Sequence, residues 1–201
     1  MRKIIALLAV VILPLVLASC YMPTKYDLKI QILKDGRYAY EYEGDLIHLR
    51  FLQKLGTKEV AQGSAEEQKQ AEIYIADLKR DRGFSEINYV GEARFRVKYR
   101  HQGNINERKS YSFVRRNGWF MRILRNQPGV VELQGNKLPK NYRDELIATG
   151  FDSWGKIRVW SDANVEFHNA GYVQEGNPTM YEWIIRSMAE PTPKMVIGID
   201  P

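Results

Sequence analysis

The apolar positions after residue 20 first recur with period two. Tyr26, Leu28, Ile30 and Ile32 alternate with polar residues, Asp35-Gly36 supplies a turn that favours positive φ, and Tyr38, Tyr40 and Tyr42 resume the alternation, so two paired strands are expected. From Asp45 to Leu55 the spacing changes: Leu46, Ile47, Leu49, Phe51, Leu52 and Leu55 fall on helical intervals, and Gly56 follows as a stop. Ser64 and Glu67 form a capping box ahead of a second helical stripe of Ala71, Tyr74, Ile75 and Leu78, with Gly83 at the expected C-terminal stop. Period two then returns at Ile87 and Tyr89, at Ala93, Phe95, Val97 and Tyr99, and at Tyr111 and Phe113, where Asn117-Gly118 turns the chain into Trp119 to Leu124. A short strand around Val130, Val131 and Leu133, a short helix or helical turn from Pro139 to Thr149 closed by Gly150, a hairpin of Lys156–Trp160 and Asn164–Phe167 about Ser161-Asp162, and closing strands at Met180–Ile185 and Met195–Ile199 complete the pattern.

Strands grouped around two early helices, without β-α-β alternation, predict the α+β class: a curved antiparallel β-sheet packed by two N-terminal helices, with space for an apolar cavity beneath them. No internal repeat or low-complexity tract is present.

The first twenty residues follow a different rule. Arg2 and Lys3 precede an apolar run from Ile4 to Leu17, then Ala18, Ser19 and Cys20, which is the only cysteine among 201 residues. A basic start, a short hydrophobic run and a small-residue zone read as a secretory signal. Leu17-Ala18-Ser19-Cys20 resembles the lipobox of bacterial lipoproteins, and that resemblance implies a diacylglyceryl group on the Cys20 thiol, palmitate-type acyl chains and cleavage just before the cysteine. The expected division is a signal over 1–19, an acylated terminus with a short tether over 20–23, and one domain over 24–201, a length that suits a single core. Tyr21 replaces the aspartate that would retain a lipoprotein at an inner membrane, which favours an outer membrane facing the periplasm in a diderm cell, and otherwise the outer face of the plasma membrane.

Charge and chemistry narrow the picture further. Taking the two signal cations from the formal +6 leaves +4 on the exported part, a mildly basic balance that suits anionic lipid or cell-wall polymer more than nucleic acid outside the cell. With Cys20 consumed by acylation, no disulfide, thiolate nucleophile or cysteine metal ligand remains. His48, His101 and His168 lie in different elements without metal-ligand spacing, so no metal or other cofactor is expected. There is no nucleophile elbow, and the acidic pairs Glu66-Glu67 and Asp144-Glu145 sit at helix starts or polar faces, so no catalytic residue is assigned. Arg94, Arg96, Lys98 and Arg100 occupy every second position opposite Phe95, Val97 and Tyr99, which makes a basic strand face. That face reads either as a solvated sheet surface or as a contact for anionic headgroups, with Arg115, Arg116, Arg122 and Arg125 extending it if their strands are neighbours. Tyr38, Tyr40 and Tyr42 share one strand face and are expected to be half-buried, with their hydroxyls at the rim.

The lipobox, the opening hairpin around Asp35-Gly36, and the segment Val165-Glu166-Phe167-His168-Asn169-Ala170 followed by Tyr181-Glu182-Trp183-Ile184 together resemble the mycobacterial LppM-type lipoproteins. The resemblance spans most of residues 24–200 and implies a periplasmic α+β domain likened to lipid-binding folds, with envelope glycolipids as associates. It departs where that pattern adds a C-terminal transmembrane helix, because Met195–Ile199 is far too short to span a bilayer. The expectation is therefore a non-enzymatic, membrane-anchored lipoprotein that binds or handles an amphiphile. An envelope scaffold binding a protein partner is the alternative, and a cell-wall or lipid hydrolase the third reading.

Overall fold

The computed structural model describes residues 21–113 and 120–200. In chain order these form β1 (Tyr21–Ile32), β2 (Arg37–His48), α1 (Leu49–Gly56), α2 (Ala65–Leu78), β3 (Phe84–Tyr89), β4 (Arg94–Asn104), β5 (Ser110–Phe113), β6 (Met121–Gln127), β7 (Val130–Gly135), α3 (Lys140–Ala148), β8 (Gly155–Ser161), β9 (Asn164–His168), β10 (Tyr172–Gln174), β11 (Thr179–Ile185) and β12 (Lys194–Gly198). They make two sheets, one ordered β10-β11-β8-β1-β2-β4-β3 and the other β5-β6-β7-β12-β9. β1 runs parallel to β8, with Leu28 opposite Ile157 and Ile30 opposite Val159. The remaining pairs are antiparallel.

This corrects the expected single antiparallel sheet. The second sheet, and not the helices, covers most of the inward face of the first. Tyr40 and Tyr42 on β2 meet Phe113 on β5 with ring centroids 5.1 and 4.8 Å apart, and Tyr38 meets Tyr111 at 5.1 Å. α1 and α2 close only one end of that face, where Phe51 lies 5.9 Å from Tyr89 and Tyr74 lies 6.3 Å from Phe95. Leu28, Ile30, Phe95, Val97, Ile123, Leu133, Ile157, Val159 and Ile197 fill the space between, all fully buried. Aromatic and branched side chains thus occupy the interior between the sheets.

Two further expectations change for local reasons. The helix foreseen from Asp45 begins only at Leu49, because Asp45–His48 continue β2, pairing with Arg94–Arg96 on one side and with Tyr21–Thr24 on the other. Tyr21, Met22 and Pro23, foreseen as part of a short tether, are in β1 and buried. A bulge separates Thr24 from Asp27 in the β1–β2 ladder, with Lys25 at φ 51°, and Gly44 lies beneath it where a Cβ would stand 2.7 Å from the Tyr26 Cα. The hairpin expected about Ser161-Asp162 does not form either, since β8 belongs to the first sheet and β9 pairs with β12 in the second. The Asn117-Gly118 turn lies outside the described residues.

Candidate functional site

The first residues of β1 are held by an unusual number of polar contacts from the segment that follows α3. The Thr24 hydroxyl donates to the Asp152 carbonyl at 2.7 Å, the Ser153 hydroxyl donates to the Pro23 carbonyl at 2.6 Å, and the Tyr26 amide donates to the Trp154 carbonyl at 3.2 Å. Asp152 Oδ1 accepts from the Ser153 and Met188 amides at 2.7 and 2.8 Å, which ties the β11–β12 connection into the same clamp. These bonds satisfy buried polar groups that would otherwise be costly, so the start of β1 has a fixed place.

Around this clamp Met22, Ile47 and Leu49 form a small buried cluster, with Leu138, Leu146, Phe151 and Met188 packed against it. Beside it opens an apolar cleft of about 100 Å³ whose walls include Tyr21, Met22, Pro23, Leu49, Leu138, Met188 and Pro191. Trp154 stands next to the clamp and is 48% exposed, while Lys137, Lys140 and Arg186 are exposed on neighbouring segments. None of this was foreseen. The cleft draws on six separated stretches of chain, and no periodicity or spacing links them. The side-by-side Asp152 and Ser153 just beyond Gly150 were the one polar signal present.

The sequence-derived candidates fall elsewhere. Arg94, Arg96, Lys98 and Arg100 do share the outward face of β4, as their spacing requires, but each stands against a carboxylate. Arg94 reaches Glu92 at 2.7 Å, Arg96 grips Asp45 through two bonds of 2.9 and 3.2 Å, Lys98 lies 3.1 Å from Glu86 and 3.8 Å from Glu43, and Arg100 lies 3.5 Å from Glu41. The face is a lattice of alternating charge, not a uniform cationic stripe. The hydrogen bond that Arg96 donates to Asp45 raises its pKa further, and the one that Lys98 donates to Glu86 does the same for Lys98. Arg122 and Arg125 lie on β6 in the other sheet, so they do not extend this face. Arg115 and Arg116, like Cys20, lie outside the described residues.

His48 is buried as the N-cap of α1. Its Nδ1 accepts the Phe51 amide at 3.1 Å, and its ring lies 3.9 Å from the Tyr74 ring and 4.8 Å from that of Tyr21. Burial lowers its pKa from 6.5 to about 4. His101 stacks on Tyr111 at 4.4 Å, 3.2 Å from the Tyr38 hydroxyl, and burial lowers its pKa as well. His168 Nδ1 accepts the Ala170 amide at 3.2 Å. Among the described residues no three His, Cys, Asp or Glu side chains gather as a metal site.

Glu67 completes the capping box, with its amide bound by the Ser64 hydroxyl at 3.2 Å and its carboxylate taking the Gly63 amide at 2.5 Å and the Tyr89 hydroxyl. Asp144 on α3 pairs with Lys140 at 2.8 Å. Tyr38, Tyr40 and Tyr42 are buried, not at a rim, and Tyr42 donates to the Asp45 carbonyl at 2.9 Å. Asn169, within the segment on which the family resemblance rests, is a clasp between sheets. Its Oδ1 accepts from Trp183 Nε1 at 2.9 Å and from the Lys194 amide at 2.7 Å, while its Nδ2 donates to the Thr192 carbonyl at 3.0 Å.

No family model matches this chain, and no curated protein matches it. Among solved structures it is loosely similar to the NMR structure of the folded domain of the LppM protein of Mycobacterium tuberculosis. Identity is 10% and the TM-score 0.39, over 90% of this chain and 93% of that one. Among the described residues no helix is long and apolar enough to cross a membrane.

Proposed function

We propose that this protein is a non-enzymatic lipoprotein of the bacterial cell envelope, anchored through acylated Cys20, whose domain works as a surface-binding module held flush against the membrane. The observation that carries the reading is the junction itself. A lipobox-like Leu17-Ala18-Ser19-Cys20 is followed without spacer by Tyr21, which is already a buried residue of β1. A linker would let a domain roam, whereas a strand clamped at Pro23, Thr24 and Tyr26 fixes its height and tilt. The aromatic and branched side chains packed between the sheets support a binding partner met at the surface, and favour an envelope protein over a lipid swallowed between the sheets.

The lipid-handling reading is kept as the second one by a specific feature, the apolar cleft beside Met22 and Leu138. The charge pairing of Arg94, Arg96, Lys98 and Arg100 weakens a purely electrostatic headgroup contact, because attraction to anionic lipid competes there with internal carboxylates. The test is fractionation of cells expressing the native chain and Cys20→Ser, combined with in-cell cross-linking. The native protein is expected in the membrane fraction with a reproducible protein cross-link, and the variant in the soluble fraction. Equal fractionation of the two would refute the anchor. Co-purifying lipid on the Cys20→Ser protein, with no protein cross-link, would replace the first reading by the second.

A further inference from the structure

We infer that the cleft beside Tyr21–Pro23 seats the first carbons of an acyl chain carried by Cys20, so that the domain grips its own anchor. The inference rests on the proposed acylation of Cys20. Successive Cα atoms lie 3.8 Å apart, and Cys20 is bonded directly to Tyr21, which lines the cleft together with Met22 and Pro23. The clamp at Pro23, Thr24 and Tyr26 fixes the strand start that follows the anchor beside the cleft.

The walls are chemically suited to a hydrocarbon chain. Met22, Leu49, Leu138, Met188 and Pro191 are apolar, and the two unbranched thioethers adapt to an irregular occupant. The size selects among lipids. A cleft of about 100 Å³ is well below the roughly 300–1,000 Å³ of a pocket that encloses a drug-sized ligand. A free fatty acid or glycolipid would leave most of its length uncovered there. An anchor chain that begins in the cleft and continues into the bilayer would not, because its distal carbons are covered by other lipids.

The experiment uses the full chain, lipidated in cells supplied with a palmitate analogue that carries a diazirine near its carboxyl end. After irradiation, peptides are mapped by mass spectrometry, and acylation of Cys20 is read from the same sample. The expected result is a cross-link joining the Cys20 peptide to peptides containing Leu49, Leu138 or Met188, with its yield reduced at least fivefold in Leu138→Trp, which fills the cleft, at unchanged acylation. Acylated Cys20 with cross-links only to other lipids would overturn the inference and leave the anchor reading intact. Domain cross-links to a fatty acid not attached to Cys20 would overturn it in favour of an exchangeable lipid. A chain that lacks acyl mass on Cys20 would overturn the anchor reading and this inference together.

Discussion

Acidification should weaken this fold through His48. The unfolded histidine titrates near 6.5, and in the folded domain burial holds the same group near 4. Nδ1 already accepts the Phe51 amide, and the Tyr21 and Tyr74 rings crowd the imidazole, so a proton would break the α1 N-cap and place a charge among aromatic rings. Because the unfolded chain takes up the proton more readily, the stabilisation is fully present above about pH 6.5 and is lost as pH falls towards 4. The difference amounts to about 3 kcal/mol, a large share of the roughly 5–15 kcal/mol that typical domains possess. The assay is urea unfolding of the Cys20→Ser protein between pH 7.5 and 4.5, beside the same protein carrying His48→Asn, whose side-chain oxygen can still cap α1. The histidine protein should lose stability more steeply, the two curves diverging by a slope that approaches about 1.4 kcal/mol per pH unit. His101 shifts in the same direction in both proteins and cancels in the comparison. Parallel curves, or an NMR titration placing His48 near 6.5, would refute the reasoning.

Other consequences are simpler to test. Asn169→Ala leaves Trp183 Nε1 and the Lys194 amide without their acceptor and should destabilise the domain by about 2–3 kcal/mol, read by denaturant unfolding with Trp183 fluorescence as the probe. Gly44→Ala places a methyl group against the Tyr26 backbone at the β1 bulge and should cost about 1–3 kcal/mol through overpacking, measured in the same way. Arg96→Ala strips the partner from buried Asp45 and should lower the melting temperature more than Lys98→Ala or Arg100→Ala, whose carboxylate partners are exposed. Replacing Lys98 and Arg100 together by alanine should leave sedimentation of the unlipidated domain with anionic vesicles unchanged, since each already faces a carboxylate within the protein.

Much of the local structure was legible in the residues. Period two marked β1, β2 and β4, the Ser64–Glu67 box marked the start of α2 to the residue although the helix ends at Leu78, before the stop expected at Gly83, and Pro139 with Gly150 bracketed α3. What failed was long-range assembly. Alternation looks the same whether a strand pairs parallel or antiparallel, so nothing in Ile157 and Val159 announced that β8 lies beside β1. Strands adjacent in sequence, such as β4 and β5 or β8 and β9, belong to different sheets, and the apolar stripe of each fits either one. Asp45–His48 illustrates a further limit: a doubly buried strand end carries apolar residues on both faces and mimics helical spacing. The basic alternation of Arg94 to Arg100 was read correctly as a face, but its neutralisation by Glu41, Glu43, Asp45, Glu86 and Glu92 depended on the neighbouring strands and on a turn. The cleft was invisible for the same reason, since Met22, Leu49, Leu138 and Met188 meet only once the two sheets are stacked.

The measurement that bears most directly on the account is the intact mass and N-terminal peptide of the native protein extracted from cell membranes. A chain that begins at Cys20 and carries a diacylglyceryl group with its acyl chains is the predicted result. A chain that retains residues before Cys20, or begins at Cys20 or later without acyl mass, would contradict it.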